Sequence, residues 1–437
     1  MKLAVLGGEP VRRKPFSAHN NIDAEEKDAV ARVLDSGVLS RYLGCFHENF
    51  YGGGEVRALE DEWAEYFGSK YAVAVNSCTS GLYCAVGAAG VEPEDEIIVS
   101  PYTMSASATA PLIFNAVPIF ADIEQDYFCL DPKSVEERIT PKTRAIIVVD
   151  IFGLPYDVAG INALAEKHGL LVIEDAAQAP GAKYKDKFAG ALADIGVYSL
   201  NYHKHIHCGE GGVIVTDDAE LANKVRLIRN HAEAVVEGME RADIVNMIGF
   251  NFRLPELEAA ITRCQLQKLE ALLEKRHANI RYLEERLATI PALQLPKVRE
   301  DCVHAYYLHA IRFDEDVAGV SRDLFVNAVQ QELPPFELRE TEGVKIGGGY
   351  VKPLYLQPLF QQRLAYGAKG YPFQRDVGAV TSYEKGICPV VEHMHERELI
   401  THEFMLPSMN YEDLNDVVNA FCKVWEQRKI LRSKKDR

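Results

Sequence analysis

The sequence predicts an α/β fold: a large unit on a mostly parallel seven-stranded sheet, followed by a smaller α+β unit toward the C-terminus. Two observations carry this. Between about residues 60 and 230, short β-branched runs alternate with helical patterns, the signature of a parallel sheet covered by helices. From Pro255 a long helical periodicity then leads into mixed strand and helix patterns that continue to about residue 425. The expected division is an N-terminal arm over 1–20, a large unit over 21–270 and a small unit over 271–437. A chain of 437 residues, 47% hydrophobic and 26% charged, suits an ordinary globular protein of two or three such units.

Taken in order, the strands are expected at Tyr71–Val75, Glu96–Ser100, Val117–Asp122, Ala145–Asp150, Leu170–Asp175, Gly196–Ser199 and Gly212–Thr216, short runs that carry β-branched residues. Between two of them, Asp157 is placed to cap a helix through Ile161, Leu164 and Ala165 that stops at Gly169, a residue suited to a left-handed terminator. Pro255, favoured in a first helical turn, opens a long helix with Leu257, Ala260, Ile261, Cys264, Leu269 and Leu272 at helical spacing. The C-terminal part reads as a strand from Tyr306 to Phe313, a glycine-rich loop at Gly347–Gly349 and two helical patterns. The basic tail Lys429–Arg437 reads as a frayed, solvated end.

A formal net charge of -16 argues against broad binding to nucleic-acid backbones while leaving room for a local anion pocket. The opening Met1–Leu6 is too short for a signal-peptide core, and Gly7, Gly8 and Pro10 interrupt it. No apolar run reaches membrane-spanning length, so a cytoplasmic enzyme is expected. The nine cysteines are odd in number and lack a Cys-x-x-Cys pair, which suits reduced thiols rather than a disulfide framework or a cysteine zinc site.

In an open parallel sheet, ligands bind beyond the carboxyl ends of the strands. There, Asn76-Ser-Cys-Thr-Ser-Gly81 precedes a helical run, and its first N–H groups can bind a phosphate or merely form an ordinary capped helix start. Asp175 can hold a pyridinium nitrogen protonated or simply cap the next turn, and Gln178 is near enough to donate to a phenolic oxygen. Tyr102 can stack on a planar ring or serve as packing. Lys204, before Gly209, Gly211 and Gly212, decides between these readings. A phosphate cradle, a carboxylate for a ring nitrogen and an amine on successive strand ends are what pyridoxal phosphate requires.

The same segment carries a competing pattern. His203, His205 and His207 alternate, and on a strand they would point three imidazoles one way, as some metal sites do. His393 and His395, flanked by Glu392 and Glu396, would complete a metal-dependent hydrolase centre if the two segments met. Cleft histidines without a ligand give the same pattern, and Lys204 in their midst would repel a cation.

At these residues the chain resembles the pyridoxal-phosphate sugar aminotransferases of the DegT type (DegT/StrS), from roughly residue 5 to residue 425. The segments that carry it are Gly7-Gly-Glu-Pro-Val-Arg12, Gly52-Gly-Gly-Glu55 before Val56-Arg-Ala-Leu-Glu60, Ile173-Glu-Asp-Ala-Ala-Gln178, Lys204 with Gly209-Glu-Gly-Gly212, and Gly249-Phe-Asn-Phe-Arg253. The first two are especially similar to the cyclitol and aminohydroxybenzoate branch. The resemblance implies a fold-type-I homodimer whose large domain binds pyridoxal 5'-phosphate. It assigns Lys204 to the Schiff base, Asp175 to the ring nitrogen, Gln178 to the phenolic oxygen and Tyr102 to stacking. Cys78, Thr79 and Ser80, with Ser199, are implied at the phosphate, and Asn251 is implied to reach the phosphate of the neighbouring subunit, so that active sites are shared.

The family pattern is not matched everywhere. Cys78 stands where glycine is common, Asp150 where Val-His-Leu-Phe-Gly is usual, and Asn201 replaces a frequent histidine. Related sugar dehydratases carry histidine where this chain has Lys204, so transamination is favoured over dehydration. The expected reaction is ping-pong transfer of an amino group from glutamate or glutamine to a nucleotide-linked keto-sugar or a keto-cyclitol. A dehydratase on the same fold, a metal hydrolase using the His203–His207 segment and a ligand-responsive regulator are the alternatives; for the last, no helix-turn-helix appendage is readable. His304, Lys352 and Tyr355 are candidate pocket residues along with the Tyr350–Phe360 loop.

Overall fold

Small and β-branched residues buried on both faces assemble the seven expected strands into one sheet in a computed structural model that describes residues 2–373 and 382–431. They are β1 (Tyr71–Val75), β2 (Glu96–Val99), β3 (Val117–Phe120), β4 (Thr143–Val149), β5 (Leu171–Asp175), β6 (Ile195–Ser199) and β7 (Gly212–Thr216). Their spatial order is β1-β7-β6-β5-β4-β2-β3. Only β7 runs against its neighbours β1 and β6; the pairs from β6 through β3 are parallel. β1, β2, β5 and β6 therefore end at one edge, where ligands bind in open α/β sheets.

Asp157 Oδ1 accepts from Gly160 N at 2.9 Å and caps the helix Val158–His168, which ends at Gly169 with φ 65°. The long helix spans Glu256–Leu287, with Pro255 as its N-cap rather than inside its first turn. Its buried face also differs from the expected stripe. Thr262 and Gln265 are buried, whereas Leu257, Ile261, Cys264 and Leu272 are half-buried. The cause is packing on more than one side: Ala260, Leu257 and Cys264 meet Ala29 and Val33 of the helix Ala24–Ser36. Leu269 and Leu273 join the main core, while Ile280, Leu283 and Leu287 join a second core.

That second core lies against a four-stranded antiparallel sheet ordered Leu293–Gln294, His309–Phe313, Leu399–His402, Ile346–Gly348. Two expectations are corrected here. The strand expected from Tyr306 begins at His309, because Tyr306 has φ 50° and leaves extended geometry. The expected loop Gly347–Gly349 is in part an edge strand, ending where Gly349 turns with φ 75°. The helices Arg322–Glu332 and Tyr411–Gln427 cover this sheet's core. Of the basic tail, residues 432–437 lie outside the described residues. No described helix is long and apolar enough to cross a membrane.

Candidate active site

At the shared strand edge, a cavity of about 430 Å³ brings together Cys78, Thr79, Asp175, Gln178, Ser199 and Lys204. Each arrives by a local rule. Ser77 caps the helix Cys78–Ala88 by accepting from Ser80 N, which leaves the first N–H groups without partners in the helix. Positive dipole and free donors then face the cavity together. Gly212 of β7 is required at this turn, since a Cβ there would lie 2.7 Å from Cys78 N.

Asp175 ends β5 and is buried, with both oxygens engaged: Oδ2 accepts from Ser107 Oγ at 2.7 Å and Oδ1 from Ala177 N at 3.2 Å. Burial pushes its carboxyl above the usual range, while Ser107, Ala177 and the charge of Lys204 pull it down. A cationic ring N–H beside it would favour the ionised form further. Gln178 is fixed from both ends, its Oε1 accepting from Phe152 N at 2.7 Å and its Nε2 donating to Tyr350 Oη at 3.1 Å. Burial also raises the Tyr350 phenol, to about 12, so Tyr350 carries its proton into the cavity at neutral pH.

Lys204 sits at the tip of a hairpin. β6 continues through Leu200 N donating to Gly211 O and Tyr202 N to Gly209 O, and the intervening residues fold as turns. Lys204 N donates to Asn201 O at 2.9 Å, and its Nζ lies 4.3 Å from the Tyr307 ring centroid. Because this segment is turned rather than extended, the three histidines diverge. His203 faces Asn201 and Glu342, His205 Nε2 meets Ala305 O at 2.9 Å, and the His207 backbone meets Gln265. His393 pairs with Glu398 and His395 with Tyr102. No three metal-binding side chains converge among the described residues, and the two histidine segments do not meet in one cluster.

Six candidates lie elsewhere, three of them expected at the cofactor and three at the substrate pocket. Ser80 Oγ donates to Asn76 Oδ1 at 2.7 Å and is not part of the cavity lining. Tyr102 is fully buried, its hydroxyl accepting from Tyr350 N at 2.8 Å and bonded to His395 Nδ1, and it is not part of the cavity lining. Met104, two residues on, presents its exposed side chain there instead. Asn251 faces a separate depression with Asn76 and Arg253, and Glu210 borders both hollows. His304, Lys352 and Tyr355 do not line the Lys204 cavity: His304 stacks on Tyr306, Lys352 is exposed, and Tyr355 is buried against Glu392.

Sequence reasoning missed Ser107, Tyr307 and Met104. Ser107 lies in Ser105-Ala-Ser-Ala-Thr109, where nothing distinguishes one hydroxyl from the next, and a tyrosine at 307 inside an expected strand reads as packing.

A sequence model of the DegT/DnrJ/EryC1/StrS aminotransferase family matches residues 20–421. The L-glutamine:2-deoxy-scyllo-inosose aminotransferase of Streptomyces fradiae is 33% identical, over 97% of this chain and 97% of its own. The spore coat polysaccharide biosynthesis protein SpsC of Bacillus subtilis is 31% identical, over 91% and 94%. Among solved structures, DesI in the presence of its TDP-sugar product superposes with a TM-score of 0.79 at 26% identity, covering 98% of this chain and 97% of that one.

Proposed function

We propose, from the premise that this chain belongs to the DegT/DnrJ/EryC1/StrS aminotransferase family, that it moves an amino group from glutamate or glutamine to a keto-sugar or keto-cyclitol. The observation that carries the reading is the Lys204 amine in one cavity with the buried Asp175 carboxylate and the start of the helix Cys78–Ala88. The inosose aminotransferase, similar over nearly the whole chain, and the sugar-bound fold relative support the two acceptor classes.

Aminotransferases of this family depend on pyridoxal phosphate, and the donor set fits that group. Cys78 and Thr79, at the helix start, with Ser199 would hold the phosphate; Asp175 would hold the ring nitrogen, and Gln178 the phenolic oxygen. When bound, the cofactor supplies an aldehyde to carry the amino group and a ring that accepts electrons from the substrate carbon. Lys204 takes the proton from the donor's α-carbon in the first half-reaction and delivers a proton to the acceptor carbon in the second. One site serves both substrates in turn, which makes the sequence ping-pong. Tyr350 offers a neutral hydroxyl beside this path. Asn251, outside its own chain's Lys204 cavity, fits a role in the cavity of a second copy within a homodimer.

The test is incubation with pyridoxal phosphate, amide- or amine-labelled glutamine or labelled glutamate, and a panel of keto-sugars and keto-cyclitols, with products read by mass. Labelled amino product, abolished by Lys204→Ala together with the visible cofactor band, is expected. A protein that forms no such band would refute the reading; a product that has lost water without gaining nitrogen would indicate dehydration instead.

A further inference from the structure

Lys204 Nζ makes no hydrogen bond or ion pair among the described residues; its contact is the face of Tyr307, 4.3 Å from the ring centroid. Tyr307 is firmly placed for this. Its N–H donates to Phe152 O at 2.7 Å, and Ala305 N donates to Gly153 O at 2.8 Å. Gly153 is needed for that approach, since a Cβ there would lie 2.9 Å from Tyr306 N and 3.0 Å from Tyr307 N. Tyr306 adopts φ 50°, an unfavourable geometry for a bulky side chain, and stacks on His304 with centroids 4.1 Å apart. This turn sends successive tyrosines to different neighbours, and only Tyr307 of the two reaches the cavity.

We propose that Tyr307 is a positioning residue whose ring face seats the charged Lys204 side chain whenever its amine is not covalently engaged. This rests on the aminotransferase reading, in which Lys204 is released in one half-reaction and must be recaptured in the other. The strength of the contact suits the task. A cation over a ring is held by about 0.5–2 kcal/mol, enough to localise a flexible side chain and small enough to be given up when the amine turns neutral. An ion pair would hold more rigidly, and the nearby Asp175 is already bonded to Ser107 and Ala177. The other groups facing this space are Glu210, Cys78, His203, Tyr350 and, behind the lysine, His205. Tyr307 itself feels Glu403, Glu342, Arg339 and Arg276 from the segments behind it, which balance in sign.

The experiment measures the acetylation rate of Lys204 in the full chain, freed of carbonyl ligands with hydroxylamine, by trace labelling with acetic anhydride and mass spectrometry, with exposed Lys133 as internal standard. Tyr307→Leu removes the π face and should speed Lys204 labelling roughly twofold to thirtyfold at neutral pH. Tyr307→Phe should behave like wild type, whereas a fluorinated phenylalanine of the same shape at position 307 should behave like leucine, which keeps the test open if the leucine variant folds poorly. An unchanged rate, or a phenylalanine variant that behaves like leucine, would overturn the proposal. Separately, borohydride reduction with pyridoxal phosphate should mark Lys204; failure there would refute the aminotransferase reading without bearing on the labelling ratios.

Discussion

Asp150→Asn is expected to stabilise the protein increasingly as pH rises. Asp150 is fully buried at the end of β4; its Oδ1 accepts from Tyr156 N at 3.0 Å, and Oδ2 has no partner donor. Its neighbour Glu174, also fully buried, has both oxygens engaged by backbone, accepting from Gly190 N at 2.7 Å and Leu192 N at 3.0 Å. Burial pushes both carboxyls up, but these N–H donors draw Glu174 back while the charge of Glu174 drives Asp150 higher. Asp150 therefore keeps the proton and donates it to Glu174. The unfolded chain releases that proton above about pH 3.9, so it binds fewer protons than the native state, and each further pH unit costs about 1.4 kcal/mol while Asp150 stays protonated. Asparagine keeps the acceptor for Tyr156 and presents an N–H donor toward Glu174 without titrating. The assay is urea unfolding at several pH values from 5 to 8, followed by the fluorescence of the two tryptophans, of which Trp63 packs 5.3 Å from Tyr198 beside this acid pair. Its midpoint should fall with pH in the wild type and far less in the variant. Equal slopes, or a variant less stable at pH 8, would refute the reasoning.

Two further outcomes concern the candidate site. Ser107→Ala deletes the 2.7 Å hydrogen bond to Asp175 and should weaken pyridoxal phosphate binding roughly tenfold or more, as expected for a bond to a charged group, measured by fluorescence titration; Ser107→Thr should restore it. If Asn251 serves a second copy's cavity, mixing inactive Lys204→Ala and Asn251→Ala chains should regain roughly a quarter of wild-type activity through mixed dimers, whereas no regain would place Asn251 outside a shared site.

The fold was readable because its governing signals are local. Alternation of β-branched runs and capped helices marks each strand of the main sheet, and Asp157 and Gly169 bound their helix where side-chain chemistry requires. The buried stripe of Glu256–Leu287 was legible only in part, since periodicity assumes one buried face and this helix packs against the Ala24–Ser36 helix as well as the core. In the cavity, Asp175, Gln178 and Lys204 could be read because strand ends in a parallel sheet share an edge. The partners of Tyr102 could not be read, because they lie 248 and 293 residues away, at Tyr350 and His395. A strand-end rule is silent about such long-range contacts. The same distinction explains the histidines: alternation implies a common face only on an extended chain, and the turn created when Lys204 N bonds Asn201 O scatters the imidazoles while lifting the lysine into the cavity. The features that matter most to the chemistry are thus local in residue type but non-local in orientation, so the Lys204–Tyr307 contact depends on a glycine corner at Gly153 as much as on the lysine itself.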